Sequence, residues 1–254
     1  MESFADYILE EKNYLEKMEK VYYIHKKTGI FYDNSVLFKT ELTRWFIETM
    51  KLEVDENFVL TACLLYGCKK SNDPRDLSKV KSYAKEGAEY LESLGFDKKF
   101  CKVCEEHNRY SGSEPREKES DILEVIDQFG GMLLHRPDRL AFTVEEAIQL
   151  LETRNMKDSD NRYLGTLKEF ASIMEDIQDS YGVGSITLFQ KEMNKIPMKD
   201  YQKGIEAVYH NEKRIRKDAI QTRKKLIHEK HSLKSGLDLM NKITEEIDDI
   251  TQIN

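Results

Sequence analysis

The sequence predicts an all-α protein, and three observations carry that reading. The 254 residues include only four prolines, Pro74, Pro115, Pro137 and Pro197, each among turn-forming neighbours, so long segments run without a helix breaker. Between them the apolar residues recur at intervals of three and four, which places them on one helix face. No run alternates as a strand does. The stretch YGVGSITLF (181–189) comes nearest to a hairpin signal and reads as a loop before another helix.

Taken in order, the chain opens with a helical segment over residues 1–33, beginning MESFADYILEEK. Acids stand there where a signal peptide needs bases, and no apolar core follows. In LFKTELTRWFIET (37–49), Leu37, Leu42, Trp45 and Phe46 form one face, with Asp33 or Asn34 as the cap. An apolar run from Phe58 ends in LLYGCKK (64–70), and residues 76–94 form a helix closed by Gly95. The helix in SDILEVIDQFGGMLL is expected to start from Ser120. TVEEAIQLLE carries a capping box in Thr143 and Glu146. The polar NMKDSDNR after about residue 155 reads as a linker to a helical extension over 156–254, in which only Gly204 and Gly236 interrupt the pattern from Lys199 onward.

Four cysteines, Cys63, Cys68, Cys101 and Cys104, include one C-x-x-C but no second pair at zinc-ribbon spacing. FCKVCEE lies in a helical pattern, so small buried thiols are expected and disulfides are not. A formal net charge of −7, from 40 basic and 47 acidic residues, argues against nucleic acid as a partner. The basic run 213–234 contains KRIRK and RKK but no interleaved aromatics, and reads as a solvated face or a complement to the acidic TEEIDDI. No apolar run approaches the ~20 residues that span a bilayer. A cytoplasmic protein without a resident cofactor is expected.

From about residue 205 the apolar residues fall at heptad spacing. Ala219, Leu226, Leu233, Met240 and Ile247 make one row. Ile215, Ile243 and Ile250 lie on the complementary row, interrupted by Thr222, Glu229 and Gly236. That pattern predicts either a coiled coil joining two copies or a protein partner, or a helix folded back on the core.

DILEVIDQFGGMLLHRPDRLAFTVEEAIQLLE (121–152) resembles, without a gap, the closing segment of the HD-GYP phosphohydrolases. Asp127 falls on that family's metal-binding aspartate, and Arg136, Pro137 and Arg139 on its Arg-Pro-Tyr-Arg. EEHNRYSG (105–112) is similar to the family's His-His-Glu-Arg-Trp-Asp-Gly, with His107 on the second histidine and Arg109 on the arginine. SYAKEGAEYL matches His-Pro-x-x-Gly, and LLYGCKK, ending on Lys70, matches the segment that carries the name-giving His-Asp. The likeness spans about residues 34–152 in order and spacing, which implies an HD-like helical domain over 34–155.

Most of the ligands that the resemblance would imply are replaced. The first histidine falls on Asn34, the His-Asp pair on Tyr66 and Gly67, the histidine before Pro-x-x-Gly on Tyr83, and the first of the His-His pair on Glu106. The second aspartate of Asp-x-Phe-Asp is Gly130. Such enzymes hold two metal ions through a bridging carboxylate. Gly67 has no side chain to bridge, and a phenol with a reference pKa of about 10 is a poor ligand at pH 7. His107 and Asp127 alone survive.

The resemblance implies polar anchoring near a ligand pocket for Arg109, Arg136 and Arg139, and guanidinium suits phosphate; Lys70, His107 and Asp127 complete the candidate residues of that vestigial pocket. Arg-Pro-Asp-Arg also reads as a turn with helix-end salt bridges. Two functions follow. One is a catalytically inactive regulatory or scaffolding module that binds a protein or nucleotide. The other is a metal-dependent phosphohydrolase acting on a cyclic dinucleotide such as cyclic di-GMP through an altered site.

Overall fold

The computed structural model describes residues 3–71, 77–109, 116–179, 182–218, 228 and 234, with only the backbone described over 77–81. Among them there are helices and turns but no strands; the nearest to a strand are two isolated bridges, Arg136 with Arg139 and Gln178 with Gly184. The class is all-α. None of the described helices is long and apolar enough to cross a membrane.

The elements follow the local signals closely. Helix α1 (Phe4–Leu9) starts from a capping box of Ser3 and Asp6, and α2 (Tyr14–Thr28) from Asn13. Helix α3 (Asn34–Met50) is capped by Asp33, whose carboxylate accepts the Ser35 amide at 2.9 Å. Asp55 caps α4 (Glu56–Leu65), which runs into the turn carrying Tyr66 and Gly67. Helix α5 (Leu77–Ser93) ends before Gly95, whose φ of 96° suits a residue without a side chain. Asp97 caps α6 (Lys98–Glu106). Then come α7 (Lys118–Met132), α8 (Val144–Leu150) with its Thr143–Glu146 capping box and a π turn (Leu151–Asn155), α9 (Leu164–Asp176) and α10 (Ser185–Met193). Residues 201–218 are helical.

Two expectations change. Helix α7 begins at Lys118, not Ser120, because the Glu117 amide is received by the Glu106 carboxylate of α6 at 2.7 Å. Ser120 instead donates to Val103 O at 3.3 Å and to Glu106 at 3.2 Å. The compact unit also runs past the polar segment 156–162 as far as His210. Aromatic contacts explain why: Phe170 of α9 meets Phe46 at 5.3 Å, and Phe189 of α10 meets Phe38 at 4.8 Å and Trp45 at 5.6 Å. Helices α9 and α10 therefore build the same core as α3.

Helix α3 is the axis of that core and is buried all round from Val36 to Ile47. Its polar members need internal partners. Arg44 grips Glu41 through two bonds of 3.0 Å, and Lys39 turns to α7. Gly204 marks where the next helical stretch meets α3, since a Cβ there would lie 2.2 Å from Asn34 Oδ1. All four cysteines are buried and free.

The second unit, Asn211–Asn254, is helical over residues 211–218, with Arg214 3.7 Å from Asp218 one turn on. The heptad row from Ala219 to Ile247 lies outside the described residues.

Candidate functional site

Three elements converge on Asp127, one turn before the end of α7. Its Oδ1 accepts from Lys39 Nζ of α3 at 2.8 Å, from Lys70 Nζ in the turn after α4 at 2.9 Å, and from the Tyr66 hydroxyl. Burial alone would push this carboxyl up. Lys39 and Lys70 outweigh burial and hold it well below the usual carboxylate range. Both ammoniums also lie over the Tyr66 ring, at 5.7 Å and 4.8 Å.

Each lysine stem crosses a glycine. A Cβ on Gly130 would meet Lys39 Cγ at 2.7 Å, and one on Gly67 would meet Lys70 Cδ at 3.2 Å. These are the two positions where the resemblance expects aspartates.

His107, the C-cap of α6, packs against Tyr66 with ring centroids 4.2 Å apart. Its Nδ1 is 2.5 Å from Cys104 O. A carbonyl only accepts, so Nδ1 carries the proton. Burial lowers the imidazole pKa to about 3, so the ring is neutral and Nε2 is the acceptor. The Tyr83 hydroxyl occupies that nitrogen at 2.9 Å, and burial raises the Tyr83 pKa well above its ordinary value, which keeps it a donor. The nitrogen that a metal would use is thus taken.

The remaining expected residues are dispersed. Glu106 turns away to the α7 N-terminus. Asn34 donates to Pro197 O at 2.7 Å and anchors the segment before Gly204. Arg109 forks onto Glu124 at 2.6 Å and 2.9 Å and reaches Ser159 at 2.8 Å. Arg139 donates to the Gly131, Met132 and Leu140 carbonyls at 2.5, 3.1 and 3.0 Å, closing the α7 C-terminus, while its backbone pairs with Arg136 across the Arg-Pro-Asp-Arg turn. Of the two readings of that motif, Arg139 fits the turn. Arg136 lines a cavity.

Two cavities flank Asp127. One of about 430 Å³ is bordered by Tyr83, His107, Arg109, Glu124 and Arg154, the other of about 310 Å³ by Lys39, Lys70, His135, Arg136 and Lys199. Lys39 is the member that sequence reading missed. Its only signal was that the positions three and four residues away, Ser35, Val36, Leu42 and Thr43, are all apolar or small.

The dinuclear metal centre that the resemblance implies does not fit these residues. Among the described residues no group of three or more His, Cys, Asp or Glu side chains is placed to hold a metal ion. Within the Asp127 cluster, burial lowers the His107 pKa to about 3, and burial and then Asp127 push Tyr66 well above 10. No family model, curated protein or solved structure matched the chain.

Proposed function

We propose that this protein is a metal-free, non-catalytic HD-like module with a regulatory or scaffolding role, in which lysine ammoniums supply the positive charge that metal ions supply in the phosphohydrolases. One observation carries this reading: each expected aspartate that is missing is a glycine crossed by a lysine stem, and both stems end on Asp127. An ammonium bonded to the one surviving carboxylate opposes a divalent cation by charge and by volume. The enzyme reading needs a bridging carboxylate and an activated water, and Gly67, Lys39 and Lys70 oppose both.

In this reading the output is binding. The heptad spacing in the sequence from Ala219 to Ile247 supports a second copy or a protein partner as what is bound. The test is elemental analysis of the purified full chain together with an assay of cyclic di-GMP hydrolysis. Substoichiometric metal and no turnover are expected. About two bound iron or manganese ions per chain, with turnover abolished by Asp127→Ala, overturns the reading.

A further inference from the structure

We propose that the cavity beside Lys39 and Lys70 binds a small phosphate monoester, with its phosphate against the two ammoniums and its organic group against Phe31, Met198 and Tyr201. This rests on the reading of the Asp127 cluster as metal-free, and deepens it by naming a ligand class.

Charge is the first argument. Lys39 and Lys70 both pair with one oxygen of one carboxylate, at 2.8 Å and 2.9 Å, and their side chains are only 6% and 21% exposed. Two ammoniums against one carboxylate leave a positive charge in excess within a largely desolvated wall, an arrangement that an anion relieves. The wider lining adds Arg136 and Lys199, so four cationic side chains face the carboxylates of Asp33 and Asp127. Asp33 is committed to the Ser35 amide at 2.9 Å and the Ser35 hydroxyl at 2.5 Å, and Arg136 has Asp138 at 3.6 Å on the exposed side. The cavity is therefore positive on a chain whose formal net charge is −7.

Shape is the second. At about 310 Å³ the cavity lies at the small end of ligand pockets. Phe31, Met198 and Tyr201 add apolar surface to the lining, and Tyr201 packs on the buried Tyr32 ring with centroids 5.7 Å apart. A volume of this size suits a small monophosphate better than the two nucleotides of a cyclic dinucleotide. A monoester, carrying about −1.5 to −2 charges at pH 7, also answers two ammoniums better than the single charge of a diester. The cavity on the other side of Asp127 lacks this surplus, because Arg109 is bound by Glu124.

The test is calorimetric titration of the full chain with inorganic phosphate, a nucleoside 5′-monophosphate, the free nucleoside and cyclic di-GMP. One monophosphate per chain is expected to bind, the nucleoside and cyclic di-GMP much more weakly. Arg136→Ala and Lys199→Ala, at exposed positions that leave the core intact, are each expected to weaken it by about tenfold, the equivalent of one surface phosphate contact. Lys70→Met is expected to abolish it, with circular dichroism confirming a folded chain. Affinity unchanged by the Arg136 and Lys199 variants, tighter binding of cyclic di-GMP, or no binding of either phosphate at millimolar concentration overturns the proposal. Titrating manganese into the same preparation separates the two readings. Stoichiometric metal overturns the metal-free reading, whereas neither metal nor phosphate binding overturns only the ligand assignment.

Discussion

Lys39 reaches Asp127 by passing over Gly130, one helical turn along α7, where a Cβ would come within 2.7 Å of its Cγ and 3.3 Å of Leu42 Cδ1. The glycine and the lysine are therefore one feature: the space that a side chain at 130 would fill is the path of the lysine stem.

Gly130→Ala tests that coupling. Alanine in a helix interior is favoured over glycine by about 1 kcal/mol. Overpacking a buried site costs about 1–3 kcal/mol, and Lys39 is 5% exposed with little freedom to retreat. A net loss of about 1 kcal/mol is expected in chemical denaturation. Combining it with Lys39→Ala should relieve the clash, so the two losses should not add. A stabilising Gly130→Ala would show that the lysine finds another route at no cost.

Much of the framework was legible in the sequence because it is local. The buried face of Leu37, Leu42, Trp45 and Phe46, the Asp33 cap, the Thr143–Glu146 box and the four buried thiols all follow from near neighbours. The site was legible only in part. Lys39 stands between Phe38 and Thr40, and its destination is 88 residues away. Glu106 and His107 adjoin in sequence, but successive residues on a helix turn by about 100°, so one caps α7 while the other faces Tyr66. Lys17, wholly buried and held by Asn57 at 2.6 Å and Thr61 at 2.5 Å, gave no local sign at all.

Tyr66 separates packing from polarity. Its ring is 3% exposed and its hydroxyl bonds an ionised carboxylate. Tyr66→Phe keeps the ring and removes one charge-assisted bond, so a loss of about 1.5–3 kcal/mol is expected. Tyr66→Ala should cost about 3–5 kcal/mol, as other large aromatic truncations do. Equal losses for the two variants would assign the whole contribution to the hydroxyl.

His107 predicts an acid-sensitive fold. The unfolded chain binds a proton on this imidazole near pH 6.5, whereas the buried ring resists it until about 3. Between those values the unfolded state holds more protons, so stability falls as pH falls, with a slope approaching about 1.4 kcal/mol per unit. Asp127, whose folded pKa is depressed, adds its own loss only as pH drops below its ordinary value of 3.8. Denaturant titrations of the parent chain and His107→Gln from pH 7 to 4.5 should show a shallower slope in the variant. Identical slopes would mean that the imidazole protonates freely in the folded state.

The last prediction concerns Glu106, which the family resemblance would make a metal ligand and which the structure makes a cap. Its side chain is buried, and Oε2 accepts from the Glu117 amide at 2.7 Å and from Ser120 Oγ at 3.2 Å, while Lys102 stands 3.6 Å from Oε1. The Glu117 side chain makes no cap bond of its own. Glu106 therefore joins α6 to the start of α7, where a negative charge is favoured by the helix dipole. Glu106→Gln retains an acceptor of the same shape and loses the charge, so a cost of about 0.5–1 kcal/mol is expected. Glu106→Ala leaves the Glu117 amide and the Ser120 hydroxyl without that acceptor in a buried setting, and should cost about 1–3 kcal/mol. Because Glu106 touches neither Lys39 nor Lys70, neither variant should change phosphate affinity while the chain stays folded. If Glu106→Gln leaves stability untouched and instead alters binding of a divalent cation, the carboxylate belongs to a metal site, and its assignment as a cap fails.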